Sequence, residues 1–335
     1  MTFGEIANLW REEHYRYTKE TTSSTYEFNL QKNIIPYFGR HENVTEKELQ
    51  GFVDMKLKDG YSVHAIRDMC TIVKMVLKFG AKNKMCDLPI EWKMKFPTRE
   101  KSTNLVETWN IVQQRKMNAY LNEHFSFKNL GILIVMQTGM RIGEISGLRW
   151  SDFDLENKVV HVQRTVERIT VFGKDGQPHG TKLHIGSTKS VSSDREIPLS
   201  KELLFFIRPL VKICESDNYV TSNAATPCEP RTYRNYFGGL CDHVGVPRLR
   251  FHGLRHTFAT SLIASKCDIK TVSSILGHSD VSITLNTYVH PDKKQKSNAI
   301  NAMLRRINSK EAAEDFDTSF LENNNQLNEQ NNERQ

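Results

Sequence analysis

Apolar residues recur every three or four positions in four segments near the amino terminus, which is the spacing of helices that bury one face. Two of these segments open with a capping-box pair, Thr2 with Glu5 and Thr45 with Glu48. In such a pair the side chain and backbone of each residue bond reciprocally at a helix start. We therefore predict a small helical bundle over residues 1–86.

Four basic residues lie on the last of these helices and just beyond it, namely Arg67, Lys74, Lys78 and Lys82. A basic stripe of this kind can face the phosphates of a nucleic acid. It is as typical of a helix face that contacts only solvent. The pattern alone leaves both interpretations open.

Helical spacing is lost over residues 87–104, where Pro89 and Pro97 interrupt a stretch rich in lysine and arginine. Such a segment indicates an interdomain linker. A second domain is predicted over residues 105–310. The chain is thus expected to form two domains joined by a hinge.

The second domain combines helical and strand patterns. Helical spacing covers residues 106–121 and 127–137 and resumes at Lys201. Alternating apolar and polar residues predict strands on both sides of an exposed turn at residues 173–180. These strands are Val159–Arg164, Val166–Phe172 and Lys182–Ile185. The expected fold class is therefore mainly α with a small β-sheet, an α+β arrangement.

Two different patterns end the chain. Residues 297–307 form an amphipathic helical segment, whose apolar face consists of Ile300, Met303, Leu304 and Ile307. Residues 311–335 are acidic and rich in asparagine and glutamine, so they cannot build a core and are expected to be disordered. The helical stripe must be buried by something, in its own domain or in a neighbouring protomer.

Charge is distributed unevenly along the chain. The whole chain carries a formal net charge of +7, but residues 311–335 hold seven acids and one arginine, which leaves +13 on the rest. This basic excess favours a polyanionic partner. The six cysteines show no C-x-x-C spacing, and the chain has no signal-peptide pattern or membrane-length apolar run. A reducing, cytoplasmic location without membrane association is the expectation.

Several motifs carry residues that suit phosphoryl transfer. A phosphodiester gains negative charge in the transition state, and the planar guanidinium of arginine is the best permanent donor for its oxygens. Arg141 lies in R-I-G-E and Arg255 in H-G-L-R-H. Tyr288 can act as a nucleophile if neighbouring cations favour its phenolate. His252 and His278 can provide hydrogen bonds around it.

Each of these residues also has an ordinary interpretation. Arg141 and Glu144 can form an exposed ion pair of little energy, and Tyr288 can be a half-buried aromatic residue. His252 and His256 have the spacing of two metal ligands on a helix, but the glutamate that follows the first histidine in zinc proteases is missing. Only the combination of motifs favours a catalytic role of these residues over a structural one. We expect no metal and no cofactor, and no nucleotide-binding P-loop is present in the sequence.

Three strings resemble those of the tyrosine recombinases of the phage-integrase type, which temperate phages and conjugative transposons carry. They are T138-G-M-R-I-G-E-I-S-G-L-R-W-S-D-F-D154, H252-G-L-R-H-T-F-A-T260 and L276-G-H-S-D-V-S-I-T-L-N-T-Y288. The resemblance covers residues 1–308. It implies a core-site DNA-binding domain in the helical bundle, followed by a catalytic domain.

The resemblance also implies a role for each site residue. Tyr288 would be the nucleophile, and five further residues would act on the phosphate or the leaving oxygen, namely Arg141, Lys189, His252, Arg255 and His278. Glu144 would support Arg141 from behind. Lys189 corresponds to a β-hairpin lysine that protonates the leaving oxygen, although Lys174 and Lys182 lie in the same β-rich stretch.

The implied function is site-specific recombination through a 3′-phosphotyrosyl intermediate, for integration and excision of a mobile element. The implied partners are double-stranded DNA with core recombination sites, a homo-tetramer in which the terminal helix docks on a neighbour, and accessory directionality or DNA-bending proteins. The sequence starts at the bundle, so an arm-site-binding module is not expected. A catalytically silent DNA-binding regulator and a type IB topoisomerase-like enzyme are the alternatives.

Overall fold

The computed structural model describes residues 1–88, 92–97, 107–173, 176–187, 194–288 and 293–307. The contacts divide the chain into two compact units, residues 1–281 and residues 282–335. Within the described residues, no helix is long and apolar enough to cross a membrane. The predicted tail and parts of the predicted linker lie outside the described residues.

The first 88 residues form a helical bundle, as the apolar spacing predicts. Its helices are α1 (Phe3–His14), α2 (Glu20–Asn29), α3 (Ile35–Phe38), α4 (Glu46–Lys58) and α5 (Val63–Lys82). Both predicted capping boxes are present, at Thr2 and Thr45. Their apolar faces enclose one core that includes Ile6, Leu49 and Val73.

The predicted second helix is broken into two pieces. Leu30–Ile34 is a π-helical turn between α2 and α3, and Pro36 follows in the first turn of α3. Proline has no amide hydrogen, so regular helical bonding cannot continue through it. In the sequence, Tyr26, Leu30 and Ile34 recur at helical spacing and predict one helix. Leu30 and Ile34 are buried and Tyr26 is half-buried, but the spacing does not predict this interruption.

A short segment beyond α5 covers part of its basic face. The guanidinium carbon of Arg67 lies 4.8 Å from the ring centroid of Phe96, and the Lys74 ammonium lies 5.2 Å from that of Trp92. Both are cation–π contacts. Two members of the predicted basic stripe are therefore packed on aromatic rings, while Lys78 and Lys82 remain exposed.

The second core of the first unit is built from helices and two small antiparallel sheets. The helices are α6 (Ile111–Glu123), α7 (Phe127–Thr138), α8 (Ile142–Ser146), α9 (Lys201–Ile213), α10 (Pro230–Val244), α11 (Phe251–Ala264) and α12 (Ile269–Leu276). The strands are β1 (Phe153–Asp154), β2 (Val159–Val162), β3 (Arg164–Phe172), β4 (Pro178–Ser187) and β5 (Arg195–Pro198). The α+β expectation is confirmed.

The strand boundaries differ from those predicted. One sheet has the order β1-β2-β5, in which Val160 pairs with Ile197, and the other is the β3–β4 hairpin. The predicted strand Lys182–Ile185 is extended to Pro178–Ser187 in the structure. Its polar residues show no alternation, but the long neighbour β3 pairs with it from Ser187 to Thr181 and, after an irregularity, at Pro178.

The bundle and the hairpin are in contact. The Ser24 hydroxyl on α2 donates to the backbone oxygen of Thr170 on β3 at 2.9 Å. The Glu20 carboxylate lies 2.6 Å from the Lys182 ammonium and 2.9 Å from Nδ1 of His184, both on β4. Polar contacts on the surface thus join the two parts of the first unit.

The second unit contains most of α13 (Val281–Tyr288) and all of α14 (Lys293–Ile307). The predicted apolar stripe lies on α14, and its four members Ile300, Met303, Leu304 and Ile307 are 57%, 54%, 46% and 62% exposed. Four exposed apolar side chains on one helix make a surface that a partner can cover.

Candidate active site

Arg141 caps the amino end of the short helix α8. Its backbone amide donates to Oε2 of Glu144 at 2.8 Å, and its Nη1 donates to Oε1 at 2.6 Å. The Glu144 side chain is 3% exposed, whereas that of Arg141 is 36% exposed. The pair is therefore not the exposed ion pair of the ordinary interpretation, and the guanidinium still reaches solvent.

Arg255 is fully buried in the second turn of α11. Its Nη1 donates to the backbone oxygen of Gly139 at 2.9 Å, and its Nη2 donates to that of Leu276 at 2.7 Å. Gly139 ends α7 with a φ of +65°, and a Cβ there would lie 2.5 Å from the Phe258 ring. Only glycine adopts this conformation at so close an approach. Arg255 thus joins the carboxyl ends of α7 and α12.

The sequence prediction missed a third arginine. Arg195 starts β5, and its side chain is only 6% exposed. Its Nη1 and Nη2 donate to the two oxygens of Glu144 at 3.2 and 3.0 Å, and its Nε donates to the backbone oxygen of Ile275 at 2.7 Å. A signal for it exists in the sequence, because Arg195 shares a strand face with the buried Ile197. An inward arginine needs a carboxylate partner.

Glu144 is held as a carboxylate by these arginines. Burial alone would raise its pKa, but the charges and hydrogen bonds of Arg195 and Arg141 outweigh that effect and lower it below the ordinary value. The carboxylate accepts from both guanidinium groups and from one backbone amide. Each of its two oxygens therefore accepts two hydrogen bonds.

The predicted histidines lie beside the arginines. His252 is in the first turn of α11, its ring 4.6 Å from that of His256 between centroids, and His278 follows Gly277 at the end of α12. Partial burial lowers the pKa of His252 to about 4, with help from the positive charges of His256 and Arg255. Burial and the charges of Arg255 and Arg141 lower the pKa of His278 to about 4 as well. Both rings are neutral at pH 7, so the arginines supply the positive charge.

The first unit therefore brings five predicted residues together at the ends of α7, α11 and α12, namely Arg141, Glu144, His252, Arg255 and His278. Tyr288 is the last residue of α13, in the second unit. Lys189 lies outside the described residues. Among the described residues, no group of three or more histidine, cysteine or acidic side chains is placed to hold a metal ion.

Family models match most of the chain. The model of the phage integrase family matches residues 110–295, and that of the phage integrase N-terminal SAM-like domain matches residues 2–57. The first match alone spans more than half of the chain. The chain belongs to the phage integrase family. As a member it is a tyrosine recombinase, which the resemblance in the motifs predicted.

Curated relatives agree with this family assignment. The chain is 27% identical over 329 residues to a tyrosine recombinase XerC-like protein of Caldanaerobacter subterraneus subsp. tengcongensis, which covers 90% of this chain and 83% of the relative. It is 26% identical to the transposase from transposon Tn916 of Enterococcus faecalis over 53% of this chain. The match spans only 46% of that transposase.

Solved integrase structures share the fold of this family member. The Tn1549 transposon integrase in complex with transposon right end DNA superposes with a TM-score of 0.71, at 20% identity over 91% of this chain and 100% of that chain. A lambda integrase dimer bound to a COC′ core site gives 0.60, at 14% identity over 88% of this chain and 99% of that chain. At sequence identities of 20% and 14%, the similarity shows that the fold is shared.

Proposed function

We propose that the protein is a site-specific DNA recombinase that integrates and excises a mobile element through a covalent link between Tyr288 and a DNA 3′-phosphate. The observation that carries this proposal is the position of Arg141 and Arg255. Arg255 donates to the backbone oxygens of Gly139 and Leu276, and Arg141 contacts that of the next residue, Gly277. Two guanidinium groups held in this way can bind the non-bridging oxygens of one phosphate. The integrases that share this fold are bound to transposon end DNA and to a core site, which supports double-stranded DNA as the substrate.

In the proposed cleavage step, the phenol oxygen of Tyr288 bonds to phosphorus as the bond from phosphorus to the 5′ oxygen breaks. The phenol gives up its proton to water, and the departing 5′ oxygen gains one, for which Lys189 is the proposed donor. Lys189 then recovers its proton from water. Neutral His252 and His278 each offer one hydrogen-bond donor to the phosphate. Rejoining is the reverse reaction with the 5′ hydroxyl of a partner strand, so the proposed reaction uses no cofactor.

We further propose the domain limits and the assembly that this reaction needs. Residues 1–86 are the core-site-binding domain, 87–104 the linker, 105–310 the catalytic domain and 311–335 an acidic tail. Strand exchange between two duplexes requires four protomers, and the exposed apolar stripe on α14 supports docking onto a neighbour. Accessory directionality or DNA-bending proteins would act on the same assembly.

A nicked suicide duplex tests the chemistry. The duplexes are first selected from a random library for binding to the protein. We expect a covalent adduct that survives detergent, that is lost in Tyr288→Phe and that is kept in Tyr17→Phe, a matched change at a tyrosine that is 88% exposed.

The products separate this proposal from its alternatives. A silent DNA-binding regulator would yield no adduct with any duplex. An adduct that changes supercoiling without joining two DNA molecules would indicate a topoisomerase-like enzyme. Joined products carrying sequence from both duplexes are the result expected of a recombinase.

A further inference from the structure

Three arginines bond to three consecutive backbone oxygens at the end of α12. Arg195 takes the oxygen of Ile275 at 2.7 Å, Arg255 that of Leu276 at 2.7 Å, and Arg141 has a longer contact of 3.5 Å to that of Gly277. The last carbonyls of a helix have no partners within the helix and carry partial negative charge. Arginines from three separate elements therefore fix the turn that precedes His278.

Arg195 differs from Arg141 in how much of its side chain reaches solvent. Its side chain is 6% exposed, and its three described donors all bond to protein acceptors. Arg141, by contrast, is 36% exposed and gives only Nη1 to Glu144. The Glu144 carboxylate and the Ile275 carbonyl occupy the donors of Arg195, so Arg195 can act on the reaction through these two acceptors.

The shared carboxylate explains how that effect arises. Glu144 is buried, and both of its oxygens need donors. If Arg195 were absent, Arg141 would be the single guanidinium left to satisfy both oxygens. Guanidinium and carboxylate prefer a two-bond fork, so Arg141 would turn inward and lose donors that face solvent.

We infer that Arg195 is a positioning residue of the phosphate site, which occupies Glu144 so that Arg141 keeps free donors for the DNA phosphate and which fixes the turn before His278. This inference rests on the proposed function. It assigns to β5 a direct part in shaping the site.

The test compares cleavage and binding in the full chain with the nicked duplex. In Arg195→Gln we expect the single-turnover cleavage rate to fall about 100-fold, the size of effect that a misplacement of about 1 Å produces. The Kd for the duplex should change less than about threefold, because most affinity comes from other phosphate contacts. Arg195→Lys keeps the positive charge but offers a single donor nitrogen, so its cleavage rate should lie between those of the wild type and Arg195→Gln.

Arg164→Gln is the matched control. Arg164 is another partly buried arginine of the same core, and its guanidinium bonds to the buried carboxylate of Asp152 rather than to Glu144. We expect this variant to lose stability without the selective loss of cleavage. Equal losses of cleavage in Arg195→Gln and Arg164→Gln, matched by their losses of stability, would overturn the inference.

Two further measurements distinguish a positioning role of Arg195 from a general contribution to the stability of the fold. With Arg195 gone, Glu144 loses a positive neighbour, so the acid limb of the cleavage-rate profile should move to higher pH. The effects of Arg195→Gln and Glu144→Gln should also be strongly non-additive in the double variant, because one acts through the other. Additive effects with an unmoved pH profile would contradict the inference.

Adduct formation by the wild-type protein tests the proposed function independently of the role of Arg195. If wild type forms no adduct, the proposed function itself fails. If wild type forms the adduct and Arg195→Gln forms it at the same rate, only the role of Arg195 is refuted.

Discussion

Glu144 and Glu20 each contact two basic side chains, yet the two clusters are built in opposite ways. Glu144 is 3% exposed and bonds to the forked guanidinium groups of Arg141 and Arg195. Glu20 is 47% exposed and contacts the Lys182 ammonium and the His184 ring. The first contact lies within the α+β core that contains α7, α11 and α12, and the second joins the bundle to the hairpin.

The difference shows how burial decides what an ionic cluster can do. Buried charges can lose their partners only at a large cost, so the geometry around Glu144 is fixed. Exposed charges exchange their partners for water and salt at little cost. A phosphate site needs the first property. A contact between parts of a protein that must admit a DNA duplex benefits from the second.

Replacing Glu144 by glutamine is expected to have the largest effect. The amide keeps the shape but leaves Arg141 and Arg195 without a buried counter-charge, which should lower the free energy of unfolding by about 3–5 kcal/mol. Urea unfolding measures this loss. Glu156→Gln, at an exposed turn, is the control and should change the unfolding free energy little. A Glu144→Gln variant as stable as that control would show that the buried cluster is not structural.

Arg255→Ala and Arg141→Ala should differ in stability but not in chemistry. Loss of Arg255 leaves two backbone oxygens in the core without donors, which should cost about 2–4 kcal/mol. Loss of the partly exposed Arg141 should cost about 1 kcal/mol. We expect both variants to lose cleavage while binding of the duplex, measured by gel shift, stays largely intact. An equal loss of binding and cleavage would refute this division of roles.

The histidines make stability depend on pH. The pKa of His252 and of His278 is about 4 in the folded chain, below the ordinary value of 6.5. Between these values the unfolded chain binds more protons, so stability is full above about pH 6.5 and falls as the pH drops toward 4. The slope of Tm against pH should flatten in the His252→Gln, His278→Gln double variant. The exposed His64→Gln should leave the slope unchanged.

Glu20→Gln should have the smallest effect. An exposed ion pair contributes about 0–1 kcal/mol, and salt screens it. We expect a slight drop in the urea midpoint at low salt that disappears at high salt. Glu13→Gln, an exposed change on α1, serves as the comparison. A loss as large as that of Glu144→Gln would remove the contrast between the two clusters.

The sequence was most informative where local rules decide the structure. The capping boxes at Thr2 and Thr45 predicted two helix starts, because the bonds involved span only three residues. The motifs placed Arg141 and Arg255 in helical contexts and gave the correct family. They could not show that both arginines bond to carbonyls at the ends of α7 and α12, because those contacts depend on packing between elements far apart in the chain.

Arg195 illustrates what local patterns miss. It lies 51 residues from Glu144 and 80 from Ile275, and nothing in its own strand except the inward position marks it. The interruption at Leu30–Ile34 and the full length of β4 were missed for related reasons. Backbone bonding overrides side-chain periodicity in the first case, and pairing with a long neighbour does so in the second.

The packing of Lys74 on Trp92 has a practical consequence. The other three tryptophans, Trp10, Trp109 and Trp150, are at most 3% exposed, whereas Trp92 is half-buried beside a charged ammonium. Indole emission responds to such a neighbour. If duplex phosphates draw Lys74 away from the ring, the fluorescence of Trp92 should change, so DNA binding to α5 could be followed without a label.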